Sequence, residues 1–284
     1  MNTIPPAALK QAAKELPPSP QIFGKLGSLL KDPDTGLDDI TELVNTDSSL
    51  TASVLRLSNS ALYSLGTPVD TLDEAINRVG FRELFKLVGM AAASQIFSDQ
   101  NRTYNVSGDL LWENSLACGL AMEKLAQIIG KDEQEAYTVG LLRSMGKMVI
   151  DTCVADDDHY PCYGDDSRMP IVEWEESNFG ITNPVVSGFV LKSWNFSDDT
   201  CYTIQYQYFP EKAPNKNPMI YMLNLANRMA SGIGKGIYSE TPYWKLNEER
   251  LNDACINSDD YDNIVEQVKE NLEKIVSSIY RTQS

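Results

Sequence analysis

The chain contains a single histidine, His159. It lies in residues 155–169, ADDDHYPCYGDDSRM, among five aspartates with Pro161 and Gly164. Acidic spacing of this kind raises the possibility of calcium chemistry. An EF-hand loop, however, alternates Asp/Asn ligands around a central glycine and closes on a glutamate. This stretch has neither feature, so it reads as a solvated acidic loop. A metal site built on His159 would need a cluster of ligands at fixed spacing, whereas a lone histidine in such a loop reads as a solvated side chain. Nucleophilic catalysis at Ser115 or Ser144 would require His159 to reach the core from that loop as the base. The cysteines, Cys118, Cys153, Cys162, Cys201 and Cys255, are odd in number and contain no CxxC. They read as reduced, mostly buried thiols. No GxGxxG or GxxxxGK[ST] is present, and Ser231-Gly232 with Gly234 and Gly236 reads as a helix end.

The elements that must position any site read as helices. Leu37, Ile40, Leu43 and Val44 fall at helical spacing, and Leu50, Val54, Leu57, Ala61 and Leu62 form a second stripe. Residues 81–97 are apolar all round, the pattern of a buried central helix. Residues 110–129 carry Leu116, Leu120 and Ile128 on one face. Ser258-Asp259-Asp260 offers a cap and an acidic first turn to a final helix lined by Ile264, Val268, Leu272, Ile275 and Ile279. Residues 200–209 are rich in Tyr and Ile, yet their neighbours are helical and no hairpin turn follows. Residues 98–108, SDQNRTYNVSG, are polar and turn-rich, and read as the junction between two halves.

The 284 residues are 42% hydrophobic, enough for one large domain or two medium ones. The net charge of −16 repels phosphate backbones and excludes ordinary nucleic-acid binding, for which no Lys/Arg cluster is present. No apolar run approaches the roughly 18 residues that a membrane helix needs. The N-terminus lacks the charged-then-apolar order of a secretory signal. The expectation is a cytoplasmic chain with no membrane partner.

Residues 47–80 carry the most specific pattern: Asp47, Leu50-Thr51, then Leu55-Arg56-Leu57-Ser58-Asn59-Ser60-Ala61, Tyr63, Ala75-Ile76 and Gly80. Preceded by Leu16-Pro17-Pro18-Ser19-Pro20 and Asp32-Pro33-Asp34, this ordered set resembles the N-terminal half of the HDOD family. That family is related to the HD-type metal-dependent phosphohydrolases. The resemblance implies an all-α fold, an HD-domain-like helical core with an N-terminal helical bundle. The bundle would span residues 1–107 and the core 108–284, with the C-terminal helix packing back, and the whole would form one HDOD unit. Asn59, Ser60 and Ala61 become a candidate interaction surface or, alternatively, a helix terminus satisfying backbone groups.

The second half resembles the HD core motif by motif. Trp112-Glu113-Asn114-Ser115 is similar to W-x-H-S, and residues 140–147, GLLRSMGK, to GLLHDIGK. Phe179-Gly180-Ile181-Thr182-Asn183 resembles FG-x-x-H, and Leu191 to Trp194 fits the LL-x-x-W that follows. Residues 204–210, IQYQYFP, resemble I-x-x-HH-x-P, and Leu225-Ala226-Asn227-Arg228 resembles LAD-x. Carried over residue by residue, the expected metal ligands are Asn114, Arg143, Ser144, Asn183, Gln207, Tyr208 and Asn227. A divalent metal activating water wants imidazoles and carboxylates. Amides bind such a metal only through a neutral carbonyl, and Arg143 would repel it. The resemblance therefore implies a degenerate site with no metal, no cofactor and no catalytic residue.

The leading reading is a non-catalytic signal-transduction module acting through protein–protein contact, with unidentified signalling partners or a second copy of the chain. Both halves fill the 284 residues, so a free-standing or detached module is expected. A second reading keeps the vacated pocket as a phosphate or nucleotide sensor built on Arg143. Its counterpart is a self-packed polar network with Arg143 paired to Glu176 or another acid, because a buried unpaired arginine is costly. A residual metal-dependent phosphohydrolase conflicts with every expected ligand position.

Overall fold

A computed structural model describes residues 3–63, 66–154, 157, 159–164 and 169–281. Residues 155, 156, 158 and 165–168 of the acidic loop lie outside the described residues. The fold is all-α, and among the described residues the only β-pairing is a single bridge between Asn101 and Val106. The chain forms two compact units. One comprises Met1–Leu16 with Ile96–Val268, the other Pro17–Gln95 with Lys269–Ser284.

Helix α1 (Pro6–Glu15) belongs to the larger unit and packs on α8 (Met145–Val154) and α10 (Asn183–Ser193) of that unit. The smaller unit holds α2 (Ser19–Leu29), α3 (Leu37–Asn45), α4 (Ser48–Ser58) and most of α5 (Leu72–Ile96). Its core forms around Phe23 and Phe85, whose rings lie 4.6 Å apart, with Leu26, Ile40, Val44, Leu50 and Val54. Gly80, at φ 80°, interrupts α5 in the left-handed region that L side chains avoid. Beyond it Leu84, Phe85 and residues 87–93 are buried, but Phe81, Arg82 and Ser94 are exposed, so this half keeps a solvent-facing side and is not buried all round as its apolar sequence anticipates.

Asp47 caps α4, its side chain accepting from the Leu50 amide at 2.9 Å. The helix ends at Ser58, so Ala61 and Leu62 do not continue its stripe and both are exposed. Asn59 ends the helix and ties down the following loop. Its Nδ2 donates to the Val69 carbonyl and its Oδ1 accepts from the Val69 amide, both at 2.8 Å. Arg78 donates to the same Oδ1 at 3.3 Å and to the Thr67 carbonyl. Ser60 is buried and Ala61 exposed. The geometry of Asn59 is that of a backbone clamp.

In the larger unit, α6 (Gly108–Ile129) and α7 (Glu133–Leu142) form the most extensive helix pair. Gly140 makes their close approach possible, since a Cβ there would lie 2.5 Å from the Cys118 backbone. Ser107 and Asp132 cap the two helices by accepting from the Leu110 and Glu135 amides. Leu116 and Leu120 are buried, but Ile128, expected on the same face, is 46% exposed because α6 leaves the core in its last turn. The remaining helices are α9 (Ile171–Phe179), α11 (Asp198–Gln205), α12 (Pro218–Gly232), α13 (Glu248–Asp253) and α14 (Ser258–Arg281). A 3-10 helix spans Tyr238–Tyr243. The final helix begins where expected, but its cap is Asn257, whose Oδ1 accepts from the Asp260 amide at 2.8 Å. Residues 98–107, polar in sequence, mix exposed positions (98–100, 102, 105 and 107) with buried ones. Asn101, Thr103 and Tyr104 are buried, and Asn101 donates to the Lys147 carbonyl of α8 at 3.0 Å. Among the cysteines, Cys118 and Cys201 are buried, Cys153 is half-buried, and Cys162 and Cys255 are exposed.

Candidate functional site

The motif residues of the larger unit lie around one buried polar network. Helix α6 supplies Asn114, the α7–α8 connection supplies Arg143 and Ser144, and the first turn of α10 supplies Asn183. The turn after α11 supplies Gln207 and Tyr208, and α12 supplies Asn227. Arg143 sits at the centre with no exposed surface. Its Nη1 donates to Gln207 Oε1 at 3.2 Å, and its Nη2 donates to Asn114 Oδ1 at 2.5 Å and to Glu240 Oε2 at 2.8 Å. The acid that balances Arg143 is therefore Glu240 of the 3-10 helix. Glu176, named as a candidate from sequence, is exposed.

A second cation shares that acid. Lys147, the last residue of GLLRSMGK, is fully buried, and its Nζ lies 2.8 Å from Glu240 Oε1. Its Nζ also lies 3.2 Å from the Tyr208 hydroxyl and 4.7 Å from the centre of the Tyr104 ring. The Tyr208 hydroxyl donates to Glu240 Oε1 at 2.9 Å and accepts from Asn183 Nδ2 at 3.2 Å. Asn183 leads on to Glu175 of α9, donating from its amide at 3.0 Å and its Nδ2 at 2.8 Å. Tyr104 donates to the same Glu175 at 2.5 Å. Two buried cations thus face two buried carboxylates, with amides and phenols filling the space between.

Not all motif residues join directly. Asn227 Oδ1 accepts from the Cys118 thiol at 3.3 Å while its Nδ2 donates within α12 to the Leu223 carbonyl. Ser144 is fully buried, and its hydroxyl has no hydrogen-bond partner among the described residues, while its carbonyl accepts from the Lys147 amide at 3.0 Å. His159 lies outside the network; it is exposed, and its Nδ1 lies 2.6 Å from Asp157 Oδ1. Glu240, Glu175 and Tyr104 were not singled out by sequence reading. Lys147 stood within a quoted motif, and the cost of burying Arg143 demanded some acid. The register that brings residue 240 to residue 143 left no local signal.

The electrostatics follow from burial and pairing. Burial raises the Glu240 carboxyl, but Arg143 and Lys147 outweigh it and hold the group down at about 2. Burial works against the charge on Arg143, yet Glu240 more than offsets this and keeps the guanidinium protonated. Glu175 goes the other way: burial raises it, and Lys147, Tyr104 and Asn183 only partly compensate. Burial pushes the Cys118 thiol up to about 11 despite Arg143 beside it, the direction that disfavours the thiolate.

Stability should depend on acid in a defined way. Glu240, depressed from an ordinary 4.5, contributes roughly 3 kcal/mol that is complete above that value and lost as pH falls towards about 2. The raised Glu175 has the opposite sign, relieving the folded state as it takes up a proton. Denaturant midpoints measured from about pH 5 down to about pH 2 should fall steeply, and less steeply in Glu240→Gln.

The donor set does not fit a divalent metal. At the positions that the sequence resemblance would assign to imidazoles and carboxylates stand amides, a phenol, a serine and a guanidinium. Both oxygens of Glu240 are engaged by cations. Among the described residues no group of three or more His, Cys, Asp or Glu side chains could hold a metal ion.

This is an HD-domain-like helical core joined to a smaller helical bundle. The HDOD domain profile matches residues 16–210, and the chain belongs to the HDOD family. Among solved structures, the HDOD domain protein of Geobacter sulfurreducens aligns with a TM-score of 0.68 at 22% identity, over 95% of this chain and 96% of its own. The Shewanella amazonensis SB2B protein named "Putative phosphohydrolase" aligns with a TM-score of 0.66 at 24% identity, over 96% and 98%. An uncharacterized protein of Treponema pallidum (strain Nichols) is 23% identical over 268 residues, 89% of this chain. The chain spans 48% of that relative's length. No helix of the described residues is long and apolar enough to cross a membrane.

Proposed function

We propose that this chain is a non-catalytic regulatory module that works by protein–protein contact in a bacterial cytoplasm. The observation that carries the reading is the Arg143–Glu240–Lys147 cluster, buried at 0% exposure among the HD ligand positions. A guanidinium and an ammonium held there supply internally the positive charge that metals supply in a hydrolase, but neither can deliver an activated water. The cluster also speaks against a phosphate sensor at the same place, since an incoming anion would have to displace Glu240 from both cations.

The direct test is turnover of a generic phosphodiester, bis(p-nitrophenyl) phosphate, and of cyclic dinucleotides with manganese, magnesium or ferrous iron. The expected result is no rate above metal and buffer alone. Metal-dependent turnover that disappears in Asn114→Ala would overturn the reading.

A further inference from the structure

One face of the network reaches the surface. A cavity of about 390 Å³ opens between α9, the start of α10, the turn after α11 and the end of the 3-10 helix. Its wall includes Tyr208, whose hydroxyl is tied to Glu240 inside. Tyr243 packs against Tyr208 with ring centres 4.8 Å apart and edge-on to Phe209 at 5.3 Å. The mouth carries Glu173 and Glu176, one turn apart on α9 and so on one helix face, both exposed. Across from them the Lys212 ammonium lies 3.9 Å from the centre of the Phe209 ring.

This lining selects by charge. Aromatic faces attract cations, and carboxylates beside them add charge-assisted hydrogen bonds. An anion entering the same space meets two carboxylates on a chain of net charge −16. The chain already places one of its own cations on the Phe209 ring, which shows the ledge in use. The volume takes one or two side chains, and the planar guanidinium of arginine suits both a ring face and a carboxylate.

We propose that this cavity receives an arginine side chain from a basic segment of a partner protein, with Glu173, Glu176, Phe209 and Tyr243 as its contacts. Lys212 is then the built-in competitor that the arginine displaces. The proposal rests on the protein–protein reading above and gives that partner its chemistry.

The test is amide NMR of the 284-residue chain titrated with acetyl-Gly-Arg-Gly-amide, with acetyl-Gly-Glu-Gly-amide and inorganic phosphate as the opposing probes. The arginine peptide is expected to shift resonances around Glu173, Glu176, Phe209 and Tyr243. Glu173→Gln with Glu176→Gln should weaken it about tenfold. Lys212→Ala should tighten it about threefold, a gain that no purely structural role for Lys212 predicts. All three residues are exposed, so the variants should melt with the parent. Binding of phosphate or the glutamate peptide in place of arginine, or weaker arginine binding in Lys212→Ala, overturns the proposal. Silence towards the arginine peptide, in a chain that also lacks phosphodiester turnover, removes the cavity proposal and leaves the non-catalytic reading standing. Metal-dependent turnover removes that reading instead.

Discussion

Glu240→Ala is expected to destabilise the larger unit by about 3–5 kcal/mol, the cost of leaving a buried charge without its partner. The substitution removes one carboxylate but strands two cations, Arg143 and Lys147, neither with any exposed surface. Neither can reach water without opening the unit. Asn114 and Gln207 accept from Arg143, but neutral amides do not offset its charge. Removing all three ions together, as Arg143→Met, Lys147→Met and Glu240→Leu, should cost far less than Glu240→Ala alone, because no cation is then left buried without its acid. Urea denaturation followed by tryptophan fluorescence reads both, since Trp244 lies 5.5 Å from the Arg143 guanidinium. A loss below about 1 kcal/mol for Glu240→Ala would mean that the cluster is not the closed ion group described.

Gly146→Ala is the second large expected effect. A Cβ on Gly146 would lie 2.0 Å from the Asn183 carbonyl oxygen and 2.8 Å from the Ser187 amide nitrogen. Both obstacles are backbone, so no side-chain rotation relieves them. The Gly146 amide also donates to Ser187 Oγ at 2.7 Å, fixing the register of α8 on α10. Overpacking of a close contact costs roughly 1–3 kcal/mol and more where backbones must part, so a loss of about 3 kcal/mol is expected. The displacement moves Asn183 away from Glu175 and Tyr208, joining the packing defect to the polar network. Gly232→Ala is the matched control. It ends α12 with nothing within 4 Å of its would-be Cβ, and should be neutral or slightly stabilising in the same denaturation.

The physical origin of each feature decided how much of it was visible in sequence. Helices α3 and α6 could be read because burial on one face writes a period into the chain, and the second half of α5 because its residues are mostly apolar. The final helix was legible too, but its cap moved by one residue to Asn257, since either Asn or Ser fits there and only tertiary geometry chooses. Residues 98–107 read as a polar junction because Asn101 and Thr103 are polar. They are buried because each is hydrogen-bonded to α8, Thr103 through its amide to Asp151 at 2.7 Å.

At the site, the resemblance gathered Asn114, Arg143, Asn183, Gln207 and Tyr208 from four separate segments. It did not identify the acid that neutralises them. Buried charge must be balanced, which is a rule about the sum and not about which residue answers it. Glu176 and Glu240 were equivalent on that rule, and the fold sends one to the surface and the other to the centre. Lys147 was concealed differently, as the last letter of a motif read for its missing His-Asp pair.

The central claim is that an internal ion cluster stands where an HD-type metal site would be. Calorimetric titration of manganese into the purified chain at neutral pH tests it most directly. The account predicts no saturable heat beyond weak surface association, identical in the parent and in Asn114→Ala. A stoichiometric, saturable manganese site that Asn114→Ala abolishes would contradict it.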